Sequence, residues 1–228
     1  MRTALLVIAT GEKYRPYVRP LLESAKKYFV KHDAIVWTDS SHYFDDAEYV
    51  IEKDAEGFPN ETLYRYRTIM QEEWLLEDYD QLFYLDADML FAAPVGEEIF
   101  SEGITATLHP GYVGLRGTPE TRIKSRAYCP IITAYYCGGF QGGSSKAYLK
   151  MAKELANDIE ADERNGVTAI WHDESHFNRY LSANLPAKVL GPEYCYPENA
   201  GDYYKNKWRA AGLGEVQPKI LALTKAPR

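Results

Sequence analysis

The apolar positions alternate between short continuous runs and longer stretches with helical spacing. Ala4-Leu5-Leu6-Val7-Ile8-Ala9-Thr10 is a run of the first kind, closing on Gly11, and reads as a buried strand. Tyr17, Leu21, Leu22, Ala25, Tyr28 and Phe29 then recur at helical spacing, predicting a helix that begins after Pro16. Ala34 to Asp39 is a second strand, and strand, helix and strand in about forty residues make a βαβ unit. Residues 41–60 are polar and broken by Gly57 and Pro59, so they read as loop. Asn60-Glu61-Thr62 opens a helix to about Asp78, its buried side being Leu63, Tyr66, Ile69, Met70, Trp74 and Leu75.

Phe83-Tyr84-Leu85-Asp86-Ala87-Asp88-Met89-Leu90-Phe91 is a further apolar run, interrupted by two carboxylates. It reads as a buried strand of a parallel sheet. Ile104–Leu108 is the next strand, and residues 113–130 have no period. Ala134 to Cys137 predicts another strand that ends in Gly138-Gly139-Phe140-Gln141-Gly142-Gly143. Ser144 caps a long helix with Leu149, Ala152, Leu155 and Ile159 on one side. A helix from near Asp173 to about Ser182, a strand near Lys188–Leu190 and a tail rich in Tyr and Lys complete the chain. Neither an internal repeat nor a linker is evident, which favours one domain.

Composition narrows the function classes. At 228 residues, 46% hydrophobic and 26% charged, the chain can bury one sizeable core. A net charge of -7 argues against sequence-independent nucleic-acid binding. Nineteen tyrosines and four tryptophans suit stacking on sugars or bases, although tyrosine also fills ordinary cores. Cys129, Cys137 and Cys195 are odd in number, so a disulfide framework is not expected, and a cytoplasmic location without a membrane span is.

Three clusters carry candidate chemistry. Alternate residues of a strand share a side, so Asp86 and Asp88 could aim together where the strand gives way to loop. Ligands bind at such carboxyl ends in open α/β sheets. Paired carboxylates there suit a hard dication such as Mn²⁺ or Mg²⁺ bridging to phosphates, though Asp-x-Asp also occurs by chance. Four glycines in residues 138–143 suggest close approach of a ligand or another segment to backbone. In Trp171-His172-Asp173-Glu174-Ser175-His176, the two histidines lie at i, i+4, but Asp173 stands where the zinc-protease pattern needs Glu. Asp173 reads as a helix N-cap, and Glu174 as a carboxylate able to stabilise positive charge or act as nucleophile.

Together these segments resemble the retaining glycosyltransferases of family 6. The resemblance rests on Ala9-Thr10-Gly11-Glu12-Lys13-Tyr14, Asp86-Ala87-Asp88, Thr107-Leu108-His109-Pro110-Gly111-Tyr112, Ala127-Tyr128-Cys129-Pro130, Tyr135-Tyr136-Cys137-Gly138-Gly139-Phe140, Trp171 to His176 and Pro192-Glu193-Tyr194. It implies an α/β GT-A fold, with a Rossmann-like central mixed sheet flanked by helices. It also implies one catalytic domain over 1–228: a nucleotide-binding part to about 90, an acceptor-binding part from about 91 to 215, and a basic tail. The implied reaction moves GalNAc or Gal from a UDP-sugar in α-1,3 linkage to a galactoside, with Mn²⁺ or Mg²⁺. Ala9, Thr10 and Tyr14 would line the uridine site, and Arg65 the donor. Asp86, Ala87 and Asp88 would form the metal and diphosphate site. Cys137, Gly138, Gly139 and Asp173 would surround the donor sugar. His109 and Trp171 would face the acceptor, as would Glu174, the catalytic carboxylate. Lys225 would reach the leaving diphosphate. Both aspartates are kept where some bacterial relatives carry Asn, and no anchor precedes them, so the resemblance is to a soluble, metal-dependent microbial or viral branch. The family's Tyr-Glu-Arg-Arg segment is replaced by Pro119-Glu120-Thr121-Arg122, which leaves acceptor choice open. Two other readings remain at this point: an Asp-x-Asp phosphatase with Asp86 as nucleophile, and a non-catalytic sugar-binding protein.

Overall fold

A computed structural model describes residues 1–40, 44 and 47–224. In chain order the elements are β1 (Thr3–Ile8), α1 (Gly11–Tyr28), β2 (Asp33–Thr38), β3 (Tyr49–Glu52), α2 (Asn60–Leu63), α3 (Arg65–Met70), α4 (Glu73–Leu76), β4 (Gln81–Leu85), β5 (Met89–Phe91) and β6 (Ile104–Leu108). There follow β7 (Tyr136–Ser144), α5 (Ser145–Arg164), α6 (His172–Ala183), β8 (Lys188–Leu190), β9 (Tyr196–Pro197), α7 (Asp202–Ala210) and β10 (Ile220–Ala222).

Seven strands form a mixed sheet in the order β3-β2-β1-β4-β7-β6-β8. The first four pair in parallel, whereas β7 runs antiparallel to both β4 and β6. Strand β1 shows why both faces are covered. Ala4, Leu6 and Ile8 face a core with Tyr66, Ile69, Tyr148, Leu155 and Phe177, contributed by α3, α5 and α6. Leu5 and Val7 face the opposite core with Val18, Leu21 and Leu22 of α1. The apolar runs are continuous rather than alternating for that reason. A small sheet, β5-β10-β9, covers one end.

Several boundaries differ from expectation. Helix α1 begins at Gly11, not after Pro16, and carries both Pro16 and Pro20. The Gly11 N–H donates to both oxygens of Asp39 at 3.0 Å, so a side chain at the end of β2 anchors the first turn. The expected helix to Asp78 is three short ones. Tyr66, Ile69 and Leu75 are buried as expected, but the breaks turn Trp74 outward to 68% exposure. The apolar run 83–91 is not one strand: β4 stops at Leu85, and β5 joins the small sheet. Residues 49–52, read as loop, add strand β3 at the sheet edge. The glycines of 138–143 lie within β7 and do not end it. Opposite β6 the register steps from Ala106↔Gln141 to Thr107↔Cys137, so residues 138–140 bulge from that ladder. Glycine is required further along, because a Cβ at Gly142 would sit 2.3 Å from the Phe83 ring.

Candidate active site

Strands β1, β2 and β4 are parallel, so their carboxyl ends open on one edge, and a cleft of about 260 Å³ lies there. Ile8, Thr10, Tyr14, Phe58, Glu61, Thr62, Arg65, Tyr84, Asp86, Ala87 and Asp88 line it. Thr10 and Tyr14, expected at the uridine site, are both in this lining. Ala9 is not in the lining; it is buried in the core beside α1, and its N–H donates to Trp37 O.

Arg65 ties the separate motifs together. Its Nη2 lies 3.2 Å from Asp86 Oδ1, and its Nε 3.0 Å from Asp173 Oδ2. Its Nη1 donates to Gly138 O at 2.8 Å. The guanidinium also stacks 4.5 Å from the Tyr84 ring centroid, and the Tyr84 hydroxyl donates to Asp86 Oδ1. One buried cation therefore joins the Asp-Ala-Asp turn, the bulge of β7 and the start of α6. Gly139 O accepts from the Asp86 N–H at 2.9 Å, and the Gly138 N–H donates to Glu174 Oε2 at 3.0 Å.

Helix α6 begins at His172, whose φ is 48°, with Trp171 rather than Asp173 at the N-cap. The Trp171 N–H donates to Ser175 Oγ. Asp173 turns inward instead, 1% exposed, where the Arg65 guanidinium is its charged partner. The left-handed backbone at His172 also undoes the zinc geometry. His172 packs edge-on against Phe58, while His176 is buried with Nε2 3.5 Å from Asp162. No group of three metal-type side chains exists among the described residues.

Burial governs the electrostatics. It pushes Asp173 up to about 7 against the pull of Arg65, and Glu174 up to about 7 against the Gly138 N–H and the neighbouring Tyr135 hydroxyl. Burial lowers His109 to about 4, so its ring is neutral at ordinary pH. His109 Nδ1 accepts from the Gly111 N–H, and its ring packs against Tyr112 and Tyr135. Trp171 is 47% exposed. Cys137 is buried with its thiol against Cys195 and is not part of the cleft lining. A Cβ on Gly139 would meet Met89 Sδ at 3.1 Å and Asp86 Oδ2 at 3.2 Å. Lys225 lies outside the described residues.

The carboxylates fit a hard dication. Among the described residues, the hydrogen bond and ion pair on Asp86 both fall on Oδ1, and Oδ2 carries neither. Asp88 lines the same cleft, and no thiol does. Two protein oxygens suit Mn²⁺ or Mg²⁺, which complete their shells with phosphate and water.

Sequence reasoning missed Tyr84, Tyr135 and Asp39. Tyr84 sits two residues before Asp86, and Asp39 ends the second strand, so position at a strand terminus was the available signal. Tyr135 had none, because its role depends on contacts with Gly117, His109 and Glu174. The long loop of 113–135 is tethered: Glu120 accepts from the Ile170 N–H, and Asp162 accepts from Ser125 Oγ and the Arg126 N–H. Glu120, in the altered segment, thus fixes the approach to Trp171.

The sequence model described as Glycosyltransferase family 6 matches residues 57–217. Over 211 residues the chain is 32% identical to histo-blood group ABO system transferase 1 of Rattus norvegicus, covering 85% of this chain and 60% of that one. It is 29% identical over 210 residues to globoside alpha-1,3-N-acetylgalactosaminyltransferase 1 of Homo sapiens, covering 84% and 60%. Against alpha-1,3-galactosyltransferase 2 of Homo sapiens the identity is 30% over 128 residues, covering 53% and 36%. The chain spans about three fifths of the length of the first two relatives. The family match takes in the Asp-Ala-Asp turn, the bulged strand and the start of α6, the parts that Arg65 joins. With its GT-A-like mixed sheet and helices, the chain belongs to glycosyltransferase family 6.

Proposed function

We infer that the chain is a retaining, metal-dependent α-1,3-glycosyltransferase that moves GalNAc, or less readily Gal, from a UDP-sugar to a galactoside, with 1–228 acting as one catalytic domain. The observation that carries this reading is Arg65, buried between Asp86 of the cleft and Asp173 beside Glu174. A phosphatase has no need of the second carboxylate pair, and a lectin has no need of either.

In this reading the uridine lies along Thr10 and Tyr14, and the diphosphate along the Asp-Ala-Asp turn. Asp86 and Asp88 would hold Mn²⁺ or Mg²⁺, which neutralises charge on the departing diphosphate. Asp173, held by Arg65, would accept hydrogen bonds from hydroxyls of the donor sugar. Arg65 keeps Asp173 and Asp86 in register. Glu174, oriented by the Gly138 N–H, would lie under the anomeric carbon on the face opposite UDP. Its carboxylate serves either route to retention: a covalent glycosyl-enzyme, or front-side attack through an oxocarbenium-like state. His109, neutral, and Trp171, half exposed, would receive the acceptor. The preference for GalNAc rests on glycine at 139, which adds no side chain at the sugar's C2. A pocket difference of that kind changes selectivity by only about 1–3 kcal/mol.

The test is incubation with UDP-GalNAc or UDP-Gal, Mn²⁺ and a galactoside with and without fucose, the product linkage being read by NMR. An α-1,3 product is expected. A β-linked product, or full activity in excess EDTA, sinks the reading.

A further inference from the structure

Gly138 carries the N–H that orients Glu174, yet it is paired in neither of the ladders that flank β7. The bulge lifts it from β6, and pairing with β4 stops at Phe140. Side chains hold its polar groups instead. Gly138 O accepts from Arg65 Nη1 at 2.8 Å and from Gln141 Nε2 at 3.0 Å, while the N–H donates to Glu174 Oε2 at 3.0 Å. Arg65 also serves two carboxylates, Asp86 and Asp173. The Gln141 amide is committed to this one residue: its Oε1 accepts from the Tyr66 hydroxyl at 3.1 Å, which leaves Nε2 aimed at Gly138.

Gln141 in β7 and Tyr66 in α3 are both fully enclosed, and neither lines the cleft. An amide buried there stabilises little, because its hydrogen bonds replace bonds to water. What it adds is direction. A carbonyl oxygen can only accept, so Gly138 O must face Nε2, and the tyrosine, kept neutral by burial, donates to Oε1. Residue 138 is also packed against the groups it serves: a Cβ there would meet Asp173 Oδ2 at 3.3 Å and Glu174 Cβ at 3.8 Å. A small tilt of this residue therefore moves its N–H relative to the Glu174 carboxylate. We propose that Gln141, aligned by Tyr66, is a positioning residue for Glu174 that acts through the backbone of Gly138. Arg65 and Gln141 pin the carbonyl from two sides, and the N–H of the same residue then points at one carboxylate oxygen.

This inference rests on the transferase reading, in which Glu174 is the acting carboxylate, and its test keeps the two apart. Gln141→Met keeps the length of the side chain and removes both hydrogen bonds. Tyr66→Phe removes only the hydroxyl that aligns the amide, and it carries the test if the first variant does not fold. Hydrogen exchange of the Gly138 amide, followed by NMR on the unliganded protein, reads the position without any reaction. It should quicken about tenfold in Gln141→Met and less in Tyr66→Phe, while amides of the central strands β1 and β4 keep the parent rates. In transfer from UDP-GalNAc with Mn²⁺, kcat should fall about five- to tenfold in Gln141→Met at an unchanged donor KM, the pattern of an interaction that matters in the transition state. Adding Tyr66→Phe to Gln141→Met should lower kcat no further, because the hydroxyl acts through the amide. Parent-level Gly138 exchange or parent-level kcat in the folded variants overturns the role, and so does a loss that falls wholly on donor KM. If Gly138 loses its protection but even the parent transfers no sugar to any acceptor, the positioning stands and the transferase reading falls.

Discussion

At the scale of single residues, the site is defined by carboxylates held where burial disfavours their charge. Asp173 and Glu174 are both raised to about 7, with burial the leading cause. A carboxyl whose folded pKa is raised binds its proton more tightly folded than unfolded. Its contribution to stability is therefore fully present below about pH 4 and is lost as pH rises towards 7. Glu174→Gln keeps the acceptor for the Gly138 N–H but removes the charge. The variant should melt no lower than the parent at pH 5 and a few degrees higher at pH 8. Its transfer rate should fall by about two orders of magnitude or more, as when one stabilising group is lost. Normal turnover with an unchanged melting profile would remove Glu174 from the reaction. In the proposed reaction the reactive form is the carboxylate, so kcat/KM of the parent should rise with pH and level off above about 7, because it reports the free enzyme's ionisation. A profile flat from pH 5 to 8 would mean that Glu174 titrates outside that range.

At the scale of elements, the bulge of β7 does most to assemble the site, and it tests how tightly the backbone is committed. A Cβ at Gly142 would lie 2.3 Å from the Phe83 ring and 2.4 Å from Leu82 O, so Gly142→Ala should destabilise by about 1–3 kcal/mol. Denaturant unfolding reads this directly, and an unperturbed midpoint contradicts the packing. Gly139→Ala is different, because its methyl would press on Met89 Sδ and Asp86 Oδ2. Any shift from GalNAc towards Gal in that variant should come with weaker metal activation. A shift in donor preference at unchanged Mn²⁺ requirement would assign residue 139 to the sugar alone. Much of this assembly was legible. Helix α5 buries Leu149, Ala152, Leu155 and Ile159 as its spacing predicts, and Ser144 caps it by accepting from the Ala147 N–H. The Asp-Ala-Asp, Gly-Gly-Phe and Trp-to-His motifs could be found by eye. Their meeting through Arg65 could not, because its partners lie 21 to 108 residues away in the chain. Nor does periodicity distinguish glycines that end a strand from glycines that let one bulge. A run such as 83–91 likewise gives no sign that its halves enter different sheets.

At the scale of the whole molecule, the Asp-Ala-Asp turn is where the two sheets meet. Asp86 and Asp88 lie between β4 of the main sheet and β5 of the small one, and the Leu223 N–H donates to Asp88 O at 2.9 Å. A ligand fixed by both carboxylates would therefore clamp the sheets together and stabilise the entire fold. Among the described residues no helix is long and apolar enough to cross a membrane. UDP and Mn²⁺ added together at about a hundred times their dissociation constants should stabilise by about 2.7 kcal/mol. For a chain of this length that is roughly 5–10 °C in Tm. Each added alone should do much less, because the diphosphate and the two carboxylates repel each other without a cation between them. The linkage is reciprocal, so Mn²⁺ should tighten UDP by the same factor as UDP tightens Mn²⁺. Asp88→Asn should abolish the joint effect while the unliganded variant melts close to the parent. An equal shift with UDP in the presence of EDTA would show that nucleotide binding bypasses the aspartate pair.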